Sequence, residues 1–430
     1  MKNIKISTQP YKGTTDTYPK DMLIRNYIFD VWKSVAQKFG YEEYDTPMLE
    51  DANLYRAKSG EELSTQLYNF TDKGGREVSL RPEMTPSLAR IIASKEKELT
   101  KPIRWFNIGK FYRYEKPQRG RTREFFQLNI DILGISSIEA EVEILQYVLE
   151  VMREFKAPKE TYEIRINNRY LLDYLFKEIL SLDDKLTAKL ARAIDNYNKM
   201  SKEDFNQYLL DLGLTKKQLE QVTDYLSWDI ETLKSIKEKS QGARELLELF
   251  SLTKDLGLEN LRFDPSIVRG LLYYTGTVIE LFDIGSKENP RAIFGGGRYD
   301  DLLSIFGNDK LPAFGIGWGD VITADYLKTY NLIPKTISQT DIFVTLLNKD
   351  LFVETSKLAT YLREKGFNVE MQLKESNISK QFKYANKKQI PWVIVLGEKE
   401  IEEGKIQLRN MKTGEDFLIT KQDAIEKICL

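Results

Sequence analysis

IRWFNIGKFYRYEKPQRGRTREFFQLNIDILG, residues 103–134, is the stretch that decides the fold of this chain. Its second half alternates strictly. Phe126, Leu128, Ile130 and Ile132 fall on one face of a strand, and Arg123, Gln127, Asn129 and Asp131 on the other, the two-residue period of an extended chain. The first half puts Arg113 and Glu115 on one face of a preceding strand, and KPQRGRT joins the two as a basic loop with Gly120 as its flexible point. The expectation is an antiparallel hairpin with one apolar face and one face of Arg, Gln and Asp. Such a hairpin ordinarily turns its polar face to water. Arginines at 113, 119, 121 and 123 around one loop point instead to an anion, because guanidinium groups match phosphate oxygens in pairs.

Working outward, helical spacing predicts amphipathic helices over 20–40 and 138–155, the first stopped by Gly40. Between them, LRPEMTPSLAR (80–90) sets Glu83 and Thr85 between two prolines, after a strand-like EVSL. A short strand at 161–166 precedes a proline-free, helix-patterned stretch, about 168–258, read as an insertion. Strand character returns at 273–283 and 291–294 around IVRGLLYYTGTVIELF (267–282), with Arg269 and Gly270 ahead of Tyr273 and Tyr274. Alone, those tyrosines read as strand formers. FGGGRYDDL (294–302) and FGIGWGD (314–320) let backbone approach a ligand. No GK[ST] follows the first, and the second lacks the later glycine and the βαβ setting of a dinucleotide site. A helix starts near Val321, and NLIPKTISQT (331–340) reads as a linker. After it, strands and helices alternate to residue 430 as an independent α/β domain.

The 430 residues suggest two to three domains. With 64 Lys+Arg against 65 Asp+Glu, no global positive field marks a nucleic-acid binder. Cys429 is the only cysteine and there is no histidine, which removes intramolecular disulfides, zinc fingers, Ser-His-Asp triads and Cys-His dyads. Chemistry must run on Arg, Lys, carboxylates, Tyr and backbone, with carboxylate-bound Mg2+ at most. The opening MKNIKISTQPYKG lacks an apolar core, and no apolar run approaches the ~20 residues that cross a bilayer. The expectation is a soluble, cytoplasmic protein with no membrane partner.

In their order and separations these segments resemble class II aminoacyl-tRNA synthetases, and within them the histidyl-tRNA synthetase family, over nearly the whole chain. YKGTTDTYPKDMLIRNYIFDVWKSVAQKFGYEEYDTPMLE resembles the family's opening and dimer-forming motif 1, LRPEMT its amino-acid-binding loop, and FYRYEKPQRGRTREFFQLNIDILG its motif 2. VRGLLYYTG and GGGRYDDL resemble the two histidine-specific segments, and residues after 341 the anticodon-binding domain. The resemblance implies an α+β fold. An antiparallel-sheet catalytic domain over 1–330 would carry the helical insertion, followed by the linker and an anticodon-binding α/β domain over 341–430.

It implies ATP-dependent ligation of L-histidine to tRNA(His) through a histidyl-adenylate, by a homodimer, with ATP as substrate, Mg2+ assisting and no protein metal site. Arg113 would contact the α-phosphate, Arg121 the outer phosphates, and Glu115 and Arg123 would complete the ATP site. Glu83, Met84, Thr85 and Gln127 would hold the amino-acid end. Arg269 would stabilise charge as the carboxylate attacks, making Arg113 and Arg269 the catalytic pair. A neutral imidazole has one donor and one acceptor nitrogen. Asp131 would accept from it and Tyr274 donate to it, with Tyr273 and Tyr299 lining the pocket. Three positions depart from the family pattern: Leu272 replaces an acidic residue, Phe126 a His or Tyr, and Ile322 the motif 3 arginine that grips the γ-phosphate. The competing expectation is a non-catalytic paralogue that senses histidine or binds tRNA. Retention of Arg113, Gln127 and Arg269, and of the C-terminal domain, favours the enzyme.

Overall fold

The computed structural model describes residues 7–57, 65–269, 273–285, 292–334 and 338–429. Gly270, Leu272, position 291 and part of the expected linker lie outside the described residues. The chain divides into two units, Met1–Ile333 and Pro334–Leu430.

In chain order the first unit contains β1 (Glu42–Glu43), β2 (Leu49–Asp51), β3 (Tyr68–Thr71), β4 (Glu77–Leu80), β5 (Ile103–Tyr112), β6 (Glu124–Leu133), β7 (Tyr162–Asn168), β8 (Leu261–Phe263), β9 (Thr277–Asp283), β10 (Ala292–Arg298) and β11 (Ala313–Gly319). Eight of them form one sheet in the order β1-β5-β6-β11-β10-β9-β7-β8, antiparallel except for the β1/β5 and β7/β8 pairs. The predicted hairpin is β5/β6, in a register that sets Gly109 opposite Gln127 and Trp105 opposite Asp131.

The alternation in β6 decides what covers each face. Leu128, Ile130 and Ile132 are buried in a core shared with Ile28, Trp32 and Val35 of the helix Pro19–Lys38 and with Leu145, Val148 and Val151 of the helix Glu139–Glu154. Proline at the first position of the earlier helix presets φ for the turn. With the apolar face taken by two helices, the polar face of β6 becomes the floor of the opposite side. It is not solvated: Asn129 and Asp131 are buried. β2, β4 and β3 make a separate small sheet. Between β7 and β8 the chain is helical, with Asp184–Asp195, Lys202–Asp211, Lys216–Tyr225 and Gln241–Asp255 the longest helices.

Some local expectations change. Arg113 and Glu115 lie past the end of β5, in a loop closed by Gln118 and Arg121 around Gly120 at φ +76°. Tyr273 and Tyr274 precede β9 instead of starting it. Gly295–Gly297 and Gly315, Gly317 and Gly319 lie within strands. Leu332 and Ile333, at the start of the expected linker, pack on the first unit's core because both are apolar. Ile24, Tyr27, Phe29 and Val31 of the first helix also pack on that core.

The second unit has one sheet, ordered β13 (Val369–Met371), β12 (Ile342–Val344), β14 (Trp392–Val395), β15 (Lys405–Asn410) and β16 (Asp416–Thr420). Its first three strands are parallel and the rest antiparallel. Its core, including Ile342, Val344, Leu358, Leu362, Ile394 and Leu408, comes wholly from this unit.

Candidate active site

The polar face of the large sheet floors a cleft of about 1490 Å³, beyond the ~300–1,000 Å³ of a single small-molecule pocket. Two glycine-rich strands make room for it. β10 and β11 pair with Gly295 opposite Gly317 and Gly297 opposite Gly315. A Cβ on Gly295 would stand 2.3 Å from Arg269 Nη1, one on Gly297 2.8 Å from Tyr274 Cδ1, one on Gly315 1.9 Å from Asp131 Oδ1, and one on Gly317 2.6 Å from Gln127 Nε2. The missing side chains are the space in which four polar or aromatic groups lie against the sheet.

Asp131 is buried, and its Oδ1 accepts from the Tyr299 hydroxyl at 2.5 Å. Burial pushes its carboxyl up to about 7, against the Tyr299 hydrogen bond, which lowers it. Beside it, the Tyr273 hydroxyl donates to Glu83 Oε2 at 2.9 Å, and Tyr273 packs on both Tyr274 and Tyr299. Burial raises all three phenols, so they stay protonated donors. Thr85 opens the helix Thr85–Lys95 and also lines the cleft.

At the hairpin end, Arg113 Nε donates to the Pro82 carbonyl at 2.9 Å and its guanidinium lies over Phe125. Arg121 is half-exposed and faces Glu115 at 3.4 Å. Across the floor, Arg269 donates to Glu280 Oε1 at 2.6 Å. Burial alone would lower its affinity for a proton, but the Glu280 carboxylate and the Tyr274 phenol hold it above the ordinary arginine range. Arg269 sits at φ +62°, and its buried Nε has no partner. A non-glycine residue held in left-handed backbone costs on the order of 1–3 kcal/mol and clusters at functional sites.

Glu83, Thr85, Arg113, Glu115, Arg121, Gln127, Asp131, Arg269, Tyr273, Tyr274 and Tyr299 therefore line one cleft. Met84 and Arg123 do not. Met84 is buried beneath the loop, its sulfur accepting from Thr46 Oγ1. Arg123 is held by the carbonyls of Glu115 and Lys12 and by the Tyr114 ring, 4.0 Å from its guanidinium carbon. It fastens the loop from behind. Ile322 lines the cleft. Asp320 accepts from the Phe126 amide at 2.9 Å and pairs with Arg25 at 3.3 Å, so it ties β6, the first helix and the end of β11 together.

Glu280 is missed by sequence reasoning, although a lone carboxylate inside TVIELF is a visible signal. The space-making role of the glycines has no sequence signal, since it is set by side chains far along the chain.

An antiparallel sheet with an arginine-bearing hairpin, a second arginine pinned across the floor and a separate C-terminal α/β unit has the architecture of a class II aminoacyl-tRNA synthetase. A histidyl-tRNA synthetase family model matches residues 13–318, and an anticodon binding domain model matches 341–429. The histidine–tRNA ligase of Leptospira biflexa is 40% identical over 434 residues, covering 100% of this chain and 99% of the relative. The chloroplastic/mitochondrial histidine–tRNA ligase of Arabidopsis thaliana is 37% identical, covering 97% of this chain and 86% of the relative. The histidyl-tRNA synthetase structure from Nostoc sp. PCC 7120 shares the fold with a TM-score of 0.86 at 24% identity, covering 99% of each chain. The chain belongs to the histidyl-tRNA synthetase family.

Proposed function

We propose that this chain joins L-histidine to tRNA(His) in two steps within the cleft. The observation that carries the reading is the convergence on one floor of Arg113, Gln127 and Asp131, from the 103–134 hairpin, with Arg269, from well over a hundred residues further along the chain. In the first step a carboxylate oxygen of histidine attacks the α-phosphorus of ATP, an acyl–phosphate bond forms, and the bond to the β-phosphate oxygen breaks to release pyrophosphate. Arg113 and Arg269 flank the α-phosphate and stabilise charge that grows in the transition state, a fixed-charge contribution that needs no histidine side chain. Glu83, Thr85 and Gln127 hold the amino and carboxylate end. Asp131 accepts from the imidazole N–H, and Tyr274 donates to the other nitrogen. Groups left unpaired by an apolar isostere give large discrimination. In the second step a ribose hydroxyl at the tRNA 3′ end attacks the carbonyl carbon and AMP leaves, while residues 341–429 bind the anticodon region.

Mg2+ is read as arriving with the triphosphate, where it would neutralise phosphate charge. Among the described residues no group of three or more carboxylates or thiols forms a site of its own. No helix among the described residues is long and apolar enough to cross a membrane, and we read the protein as cytoplasmic. We also read it as a homodimer. The small sheet leaves Leu49 45% and Phe70 49% exposed on the face that also carries Tyr68, Val78 and Leu80, with Asp51 at its edge, a mainly apolar face of the kind that self-complementary interfaces cover.

The full-length likeness to histidine–tRNA ligases supports the enzyme over a sensing paralogue. Histidine-dependent ATP–pyrophosphate exchange is the test. Exchange that requires histidine is expected, and its absence in folded protein overturns the reading.

A further inference from the structure

The cleft continues past Arg269 to the root of the helical insertion, where Arg169, Asn198 and Ser266 line it. Arg169 stands on a rigid base. It directly follows β7, its amide donates to the Gly276 carbonyl at 2.9 Å, and the Asn168 side chain accepts from the Tyr170 amide to start the helical turn Arg169–Asp173. Three other arginines of this unit have carboxylate partners: Arg81 has Asp45, Arg298 has Glu141 and Arg269 has Glu280. Among the described residues the Arg169 guanidinium has no hydrogen bond and no ion pair. Burial lowers its hold on its proton, and the nearest acidic influence, Asp173, offsets this only in part. A cation drawn into a cleft wall without a counter-charge is set to receive an anion.

The anion is not the triphosphate. In the sheet order, β7 is separated from β6 by β11, β10 and β9, four strand spacings or roughly 19 Å. Arg113 and Arg121 lie at the β5/β6 loop on the far side, and Arg269, the other cation at the α-phosphate, is already paired with Glu280 of β9. The triphosphate so placed extends from β9 toward the β5/β6 loop, away from Arg169 at the end of β7. The histidine carboxylate is likewise placed near Gln127 on β6. The polynucleotide is the substrate whose phosphates have no cation assigned above. Among the described basic residues lining this end of the cleft, Arg169, Arg192 and Lys199, Arg169 is the one with no hydrogen bond or ion pair.

We propose that Arg169 binds a backbone phosphate of the single-stranded 3′ end of tRNA, and so positions the attacking ribose for transfer without acting in adenylate formation. The proposal rests on the ligase reading above.

The two half-reactions test both separately, in the full-length protein. Arg169→Met keeps the aliphatic stem and removes the charge. Its histidine-dependent exchange is expected within about twofold of the parent, while KM for tRNA rises tenfold or more and the salt dependence of tRNA binding becomes shallower by roughly 0.7 in log–log slope, one single-strand phosphate contact. Arg169→Lys, which keeps the charge, is expected to recover most of that slope. Equal losses in exchange and charging would make Arg169 a structural residue and overturn the proposal. So would unchanged charging in Arg169→Met, or a lysine variant as impaired as the methionine one. Failure of the ligase reading shows itself differently, as no exchange in the parent protein.

Discussion

Asp131 holds the residue-scale consequences of this site. Its carboxyl is shifted from 3.8 to about 7 by burial, so the folded protein keeps a proton there that the unfolded chain releases above pH ~4. The folded state binds more protons between those values, so this group's contribution to stability is full below pH ~4 and falls as pH rises through about 7. A displacement of that size corresponds to on the order of 4 kcal/mol. Asp131→Asn removes the titration. The variant's melting temperature should therefore exceed the parent's by more at pH 8 than at pH 5, and a constant gap would contradict the shifted carboxyl. Function should move the other way. An ionised Asp131 is the better acceptor for a neutral imidazole N–H, so histidine binding by the parent should weaken as pH drops below about 7. Asp131→Asn should bind histidine far more weakly while ATP binding changes little; calorimetry showing equal losses for both ligands would make Asp131 a general structural group. Arg121 carries a second prediction. With Ile322 in the motif 3 position, the half-exposed Arg121, 3.4 Å from Glu115, is the cation proposed for the outer phosphates. Arg121→Ala should slow exchange about a hundredfold, a loss of ~3 kcal/mol, with histidine affinity retained. Full exchange in that variant would assign the outer phosphates to another group.

At the scale of the element, β10 and β11 show how legibility runs out. The β6 strand can be read from sequence because its information is local: a two-residue period in Phe126, Leu128, Ile130 and Ile132 needs nothing beyond its neighbours. The two helices over it are legible for the same reason. Gly315 is different. It leaves no trace of its partner, because what forbids a side chain there is Asp131, from a strand that meets it only in the folded sheet. The same holds for Arg269, whose partner Glu280 stands 11 residues on, in β9, with nothing in the spacing to pair them. Motif order could bring the site residues together only through resemblance; spacing alone left the tyrosines and glycines ambiguous. Within β11 the space argument is sharply testable. Gly315→Ala puts a Cβ 1.9 Å from Asp131 Oδ1 and 2.9 Å from the Ile130 carbonyl, whereas Gly319→Ala meets nothing nearer than Ile322 Cγ2 at 3.9 Å. The first should raise KM for histidine at least tenfold in exchange assays, and the second should stay within about twofold. Matching behaviour of the two variants would mean that the glycines serve strand flexibility, not side-chain space.

On the scale of the molecule, association and modularity follow from where apolar surface ends. Most apolar residues of the first helix pack on its own core, and the small sheet with its exposed Leu49 and Phe70 is the surface proposed for the dimer contact. Sedimentation should give a dimer at micromolar concentration, and Phe70→Asp should shift it toward monomer; a monomeric parent would remove the interface. Within one chain, the cores divide cleanly. Two buried clusters draw on residues between Ile28 and Leu327, with packed residues from Ile24 through Ile333, and the other two draw only on residues from Ile342 onward. Each unit thus buries its own apolar surface, the condition for folding alone, and all the cleft residues belong to the first. A chain ending at Ile333 should keep histidine-dependent exchange within a few-fold of the parent, because activation uses only the cleft. Its charging of tRNA should fall by orders of magnitude, because the contacts proposed for residues 341–429 are gone and only the 3′ end remains to be held. Loss of exchange in a truncated chain that is folded by circular dichroism would show that the second unit acts on the activation step itself.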